Sequence, residues 1–340
     1  MIKEAIGSLV SGNSLTMEEA SCVMEEIMDG SATQAQLGAF LVALKLKGET
    51  ADEVAGLASV MRARSSRVSL TGPVIDIVGT GGDGSNTFNI STTAAFVMAG
   101  AGLKVAKHGN RAMSSRCGSA DVLEALGVKI ELKPEQVQQC VEKVGIGFMF
   151  AQAFHPAMKY AAAPRREIGI STVFNILGPL TNPAGAQNQL MGVFHTDLVG
   201  IQTRVLQRLG ARHVMVVYGR DGLDEISISG ETLVGELVNG EIREYVLHPS
   251  QFGLEVYDRR AIQVSSVEES RQMILAVLEN QPGPALNIVV LNAGAALYVA
   301  GVANSMEDGI ERARKAIAKG EAKQKLDAFV AFTNKHAKAG

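Results

Sequence analysis

A chain of 340 residues with 46% hydrophobic and 20% charged side chains can bury a large core and has no low-complexity block. Its formal net charge of -3 excludes a general polyanion binder, so any positive charge that meets phosphate must be local. Cys22, Cys117 and Cys140 lack metal-like spacing, the start lacks a basic and apolar leader, and the most apolar run (285–301) is broken by Asn287 and Asn292. These features point to a soluble cytoplasmic protein with no membrane span.

Residues 1–72 read as a small helical unit. Thr16-x-x-Glu19, Thr33-x-x-Gln36 and Thr50-x-x-Glu53 each match a capping box, and Gly30 and Gly48 sit where the first two of these helices should stop. Met17, Ala20, Met24, Ile27 and Met28 form an apolar stripe at helical spacing, which is core rather than chemistry. Gly72-Pro73 reads as a linker, and Val74 to Val78 as a buried strand. Further strands are expected at 103–107, 128–132, 146–150, 190–194 and 213–218, several of them separated by helices such as SADVLEALG and TDLVGIQTRVLQRLG. This alternation predicts a large α/β domain over 73–340 with a mostly parallel central sheet. Asn239-Gly240 between two alternating runs predicts an added antiparallel hairpin. Helices over 285–301 and from Ser305 onward close the chain.

Between the first strand and the next helix lies DIVGTGGDGSNTFNIST (76–92). Gly79-x-Gly81-x-x-Gly84 has the dinucleotide-binding spacing, but that fold wants an acidic residue about 20 positions on. Here the next strand ends in Lys107-His108. A P-loop is excluded because Ser85 and Asn86 stand where its lysine is required. A tight turn with a helix cap needs fewer glycines and hydroxyls than Thr80, Ser85, Thr87, Ser91, Thr92 and Thr93 supply. A broader site for a ligand with several phosphate oxygens fits best.

Three more stretches join it. KHGNR (107–111) follows the second strand and brings Lys107, Arg111 and Asn110 to the sheet edge where ligands bind. SSRCGSAD (114–121) is a second hydroxyl-rich approach to a helix, either a simple cap or an anion site with Arg116 and Ser119. GRDGLDEISISG (219–230) carries Asp221, Asp224 and Glu225, adjacent carboxylates that invite magnesium beside phosphates unless they form an exposed acidic turn.

GTGGD, FNIST, KHGNR, CGSAD, FAQAFHPAMK, RREIG, VFNILGPLTNP and DGLDE stand in the order and spacing of the anthranilate phosphoribosyltransferases, a family of nucleoside-phosphorylase-type fold. The chain resembles that family from its N-terminal helices to about Gly301. The resemblance implies a glycosyltransferase (pentosyltransferase) of tryptophan biosynthesis that joins anthranilate to 5-phosphoribosyl-1-pyrophosphate (PRPP). It implies a homodimer formed through the helical part, to which segments near 160–190 add, and a GPLTNP segment near the hinge. Gly79, Gly82, Asp83, Thr87, Asn89, Ser91, Thr92, Lys107 and Ser119 would hold PRPP. Gly79, His108, Asn110, His155, Arg165 and Pro179 would hold anthranilate, while Ser91, Asp224 and Glu225 would organise two Mg2+ ions. Ser171 stands where many relatives have arginine and is left out of the site. No residue is assigned as general acid or base, because an aromatic amine is already neutral at pH 7. A pyrimidine-nucleoside phosphorylase of the same fold, a non-catalytic nucleic-acid-binding relative and an oxidoreductase are the rival readings.

Overall fold

The computed structural model describes residues 1–112 and 117–337. Four helices open the chain: α1 (Ile2–Val10), α2 (Met17–Met28), α3 (Gln34–Lys47) and α4 (Ala51–Ala63). All three threonine capping boxes form, each hydroxyl accepting from the third helical N–H while that residue's side chain accepts the cap N–H. Gly30 and Gly48, with φ of 74° and 89°, follow α2 and α3. Glu53 does more than cap α4. It is fully buried, and its carboxylate also accepts from the Leu15 N–H and Lys47 Nζ, both at 2.9 Å, tying the α1–α2 connection to α4.

Seven strands form one sheet: β1 (Ile75–Gly79), β2 (Val105–Gly109), β3 (Ile146–Phe150), β4 (Asn188–Gly192), β5 (His213–Gly219), β6 (Thr232–Val238) and β7 (Glu241–Leu247). The spatial order is β3-β2-β1-β4-β5-β6-β7, parallel through β5 and antiparallel thereafter. The β6–β7 hairpin turns at Asn239 (φ 52°) and Gly240 (φ 82°), the paired positive angles that a two-residue hairpin turn requires.

The segment 128–132, expected as a strand, is not one. Val128, Ile130 and Leu132 are buried and alternate with exposed Lys129 and Glu131, which gives it strand-like periodicity. No ladder partner is present among the described residues. Instead the Lys129 N–H donates to Thr333 Oγ1 at 3.1 Å, so the run lies against the C-terminal helix.

The strands have apolar side chains on both faces. Leu190, Met215 and Val217 enter one core with α5 (Ile90–Gly100), α6 (Ser119–Ala125), part of α7 (Pro134–Val144) and the C-terminal helices. Met191, Val214 and Val216 enter the other, with α1–α4, α10 (Phe174–Leu177) and α11 (Asp197–Arg208). Alternate residues of β4 and β5 therefore bind the helical unit to the sheet. Two short helices, α8 (Ala151–Phe154) and α9 (Lys159–Ile168), lead from β3 towards it; α12 (Val267–Leu278) and α13 (Pro284–Val299) cover the opposite face. Among the described residues no helix is long and apolar enough to cross a membrane.

The strand order reverses at β1, which has β2 on one side and β4 on the other. The carboxyl ends of β1 and β4 thus form the switch-point crevice of an open α/β sheet.

Candidate active site

Gly79 and Gly192, the last residues of β1 and β4, are register partners. A Cβ on Gly79 would lie 2.3 Å from Asp224 Oδ2, and one on Gly192 only 1.5 Å from the Asp224 carbonyl oxygen. The two glycines leave the gap that seats the turn after β5. From there Asp224 Oδ2 accepts the Gly81 N–H at 2.9 Å.

The loop leaving β1 holds positive φ at Gly81 (65°), Gly82 (78°), Gly84 (65°) and Asn86 (52°), so its backbone folds back in a way side-chain-bearing residues resist. Asp83 accepts the Ser85 N–H at 3.1 Å, an Asx turn. The returning limb is walled by the segment before α12. Phe88 N–H donates to the Ile262 carbonyl (3.0 Å), Val264 N–H donates to that of Asn86 (2.8 Å), and Thr87 pairs with Gln263. Arg259 bridges the Asp221 carbonyl and Ser85 Oγ.

At the start of α5 the Ser91 N–H donates to Glu225 Oε1 at 3.1 Å, a carboxylate at the positive end of a helix. Lys107, on β2 and 3% exposed, reaches the Ile77 carbonyl (2.6 Å) and Ser91 Oγ (3.3 Å). Asn89 is held by α12: its N–H donates to Ser270 Oγ, and its Oδ1 accepts from that hydroxyl at 2.7 Å and from Cys117 Sγ at 3.0 Å. Thr80 Oγ1 and Thr92 Oγ1 are buried with no partner among the described residues.

Burial, and then the like charge of Asp83, pushes the Asp224 carboxyl up to about 7. Burial and Asp224 together raise Glu225 well above the carboxylate range. Burial lowers Lys107, opposed by Asp76, Glu225 and Asp224. Two adjacent raised carboxyls beside one lysine are a donor set that a hard cation would ionise. Among the described residues no three His, Cys, Asp or Glu side chains cluster around a common point. The Asp224–Glu225 pair suits magnesium, which takes one or two carboxylates and fills the rest of its shell with water and ligand phosphate oxygens.

On the other side of Lys107 lie two buried imidazoles. His108 and His155 have ring centroids 5.1 Å apart, and each leaves Nε2 buried with no partner among the described residues. His108 bonds the Gly178 backbone and His155 that of Thr181. Burial is the main cause that lowers them to about 3 and about 4. Both are neutral at pH 7. Pro179 is buried beside them, its carbonyl accepting from Gln189 Nε2 at 2.7 Å. Asn110 and Ser119 are joined at 3.2 Å through the Asn110 carbonyl. Arg165 lies on α9 with its guanidinium carbon 5.0 Å from the Phe174 ring centroid and no acidic partner among the described residues.

Two residues singled out by sequence face elsewhere. Arg111 pairs with Asp121 (3.0 Å) and Glu124 (2.6 Å), and Asp221 accepts from Ser227 Oγ (2.9 Å) as a turn residue. Arg116 lies outside the described residues. Sequence reasoning missed Gly192, Asp76, Asn182 and Ser270. Only Asp76 left a signal there, as a charge inside the apolar strand VIDIV.

The imidazoles make a stability prediction. His155 folded stays neutral down to about pH 4, but unfolded it protonates below 6.5. The unfolded state therefore binds the extra proton in that window, and stability falls as pH drops through it. His155→Gln should remove roughly 2 kcal/mol of the loss seen between about pH 6.5 and 4.5, read from urea midpoints. An unchanged pH slope would contradict the buried neutral ring.

Comparison with known proteins is consistent along the chain. Residues 3–65 match the glycosyl transferase family helical bundle domain, and residues 71–323 match its a/b domain. The anthranilate phosphoribosyltransferase of Laribacter hongkongensis is 56% identical over 98% of both chains. That of Xanthomonas campestris pv. campestris is 57% identical over 97% of this chain and 96% of its own. Among solved structures, anthranilate phosphoribosyltransferase from Thermus thermophilus superimposes with a TM-score of 0.92 at 43% identity, covering 97% of this chain and 99% of its own. The Saccharomyces cerevisiae enzyme in complex with PRPP and Mg gives 0.89 at 27% identity, over 98% of each chain.

Proposed function

The chain belongs to the anthranilate phosphoribosyltransferase family, and we propose that it transfers the 5-phosphoribosyl group of PRPP to the amine of anthranilate. The anomeric C–O bond breaks, a C–N bond forms, pyrophosphate leaves and the amine loses a proton. The observation that carries this reading is the adjacent carboxyls of half-buried Asp224, seated in the gap left by Gly79 and Gly192 beside a positive-φ glycine loop, and of buried Glu225. The unit boundary at 72/73 and the cytoplasmic location are part of the same proposal. So is a homodimer through the helical unit, where Val10 (73% exposed) and Leu46 (83% exposed) leave apolar surface on α1 and α3.

PRPP takes the crevice above β1 and β4, held by Gly79, Gly82, Asp83, Thr87, Asn89, Ser91, Thr92, Lys107 and Ser119. Ser91, Asp224 and Glu225 would hold two Mg2+ ions, which supply charge neutralisation to the departing pyrophosphate. Lys107 adds a fixed positive charge at the same place, and the loop's N–H groups are preorganised donors. Anthranilate lies beside Gly79, His108, Asn110, His155, Arg165 and Pro179. The neutral rings of His108 and His155 give an apolar wall with acceptor nitrogens suited to an arylamine. No strong base is needed, and orientation supplies much of the rate.

Arg165, free of an acidic partner among the described residues, suits the anthranilate carboxylate, which a guanidinium pairs bidentately. Arg165→Ala should raise KM for anthranilate by about 10- to 100-fold and leave that for PRPP within about threefold, in steady-state assays. Equal effects on both would contradict the assignment.

The reading is tested by pyrophosphate release from the purified chain, which must require both substrates. Release with PRPP alone would be transfer to water and would contradict the reading, whereas phosphorolysis of thymidine would support the nucleoside phosphorylase alternative.

A further inference from the structure

Beneath both subsites runs a buried polar pair that the chemistry above does not use. Asp76, the second residue of β1, is fully buried and Asn182 is 4% exposed. Asp76 Oδ1 accepts the backbone N–H of His108 at 3.2 Å, and Oδ2 accepts Asn182 Nδ2 at 2.7 Å. Asn182 Nδ2 also donates to the Ala106 carbonyl at 2.8 Å, while its Oδ1 accepts the Ala184 N–H at 2.8 Å. Every bond ends either on β2 or on the segment 178–184.

That segment matters because of what hangs from it. It contributes Pro179, and its Gly178 and Thr181 backbones hold the rings of His108 and His155. Each ring keeps its Nε2 buried and without a partner among the described residues. Arg62 grips the same segment from α4 at the Leu180 carbonyl. Lys107 instead donates to the Ile77 carbonyl and Ser91 Oγ, and meets Asp76 only through charge, which Asn182→Ala leaves in place. The Asp76–Asn182 link therefore sets the spacing of the acceptor side and bypasses the hydrogen bonds that hold the donor side.

We propose that Asp76 and Asn182 are a positioning pair for the aromatic-amine subsite, clamping segment 178–184 to β2 so that His108, His155 and Pro179 keep one mutual arrangement. The proposal rests on the functional reading above. Its test is a pair of variants of the full chain, Asn182→Ala and the exchange Asp76→Asn/Asn182→Asp, assayed with magnesium. Asn182→Ala removes the clamp and leaves the site side chains in place. It raises KM for anthranilate about tenfold and keeps that for PRPP within about twofold. In the exchange the new amide accepts from the His108 N–H and donates to the new carboxylate, which still accepts from Ala184. The new carboxylate oxygen faces the Ala106 carbonyl without a donor, so the recovery is partial, and KM for anthranilate returns to within about fivefold of wild type.

Equal rises in the two KM values, or an exchange no better than Asn182→Ala, overturn the proposal. Should Asn182→Ala fail to fold, the exchange decides alone. An anthranilate KM within about fivefold of wild type supports the pair, and a larger rise overturns it. A wild-type chain without transfer activity would instead overturn the functional reading.

Discussion

Replacing Asp224 and Glu225 together by alanine is expected to lower kcat/KM by about 10³-fold or more and to abolish the response to magnesium. The expectation follows from charge. Burial raises both carboxyls, helped by the like charge of Asp83 at Asp224, which reaches about 7, and by that of Asp224 at Glu225, where Lys107 opposes the rise. A site that tolerates such repulsion when empty gains most when a divalent ion and a pyrophosphate arrive. The same logic fixes the sign of the stability change. A carboxyl whose folded value lies above its unfolded 3.8 loses stability as pH rises through that interval, because the unfolded chain releases its proton first. At neutral pH the double variant should therefore melt at the same temperature as wild type or higher, while activity is lost. Retained turnover with an unchanged magnesium optimum would remove the carboxylates from the mechanism. A parallel loss of melting temperature and activity would make them structural.

The second large effect is expected from one methyl group. Gly192→Ala places a Cβ where the Asp224 carbonyl oxygen now lies, 1.5 Å away, so backbone rather than a flexible side chain must move. A displacement of about 1 Å in catalytic geometry costs roughly 10²-fold in rate, and steric strain of this kind about 1–3 kcal/mol in stability. Gly7→Ala is the control, since nothing lies within 4 Å of its added Cβ on α1. Pyrophosphate release and thermal melts of the two variants check this. Activity of Gly192→Ala within about threefold of the control would show that the turn has room to shift without consequence.

Local rules made much of the fold legible. The threonine capping boxes and Asn239-Gly240 are satisfied by residues a few positions apart, so the sequence carries their whole mechanism. The failure at 128–132 has the opposite cause. Its alternation is real, but Thr333, some two hundred residues on, supplies the partner that a neighbouring strand would have supplied. The site divides in the same way. The glycine loop and the Asp224-Glu225 pair are contiguous and could be read as anion and metal chemistry. Gly192 acquires its meaning only from a turn thirty residues later, and Asp76 from Asn182 and His108. Ser270 touches Asn89 across a separation of 181 residues, which no local pattern encodes. The neutral state of His108 and His155 likewise depends on burial by distant segments.

The most direct measurement is the fluorescence of anthranilate on mixing with the purified chain and PRPP, with and without magnesium. A loss of fluorescence that requires the chain, PRPP and magnesium together is the predicted result. Fluorescence that stays constant in the complete mixture, or falls equally without magnesium, would contradict the assignment of this crevice to phosphoribosyl transfer.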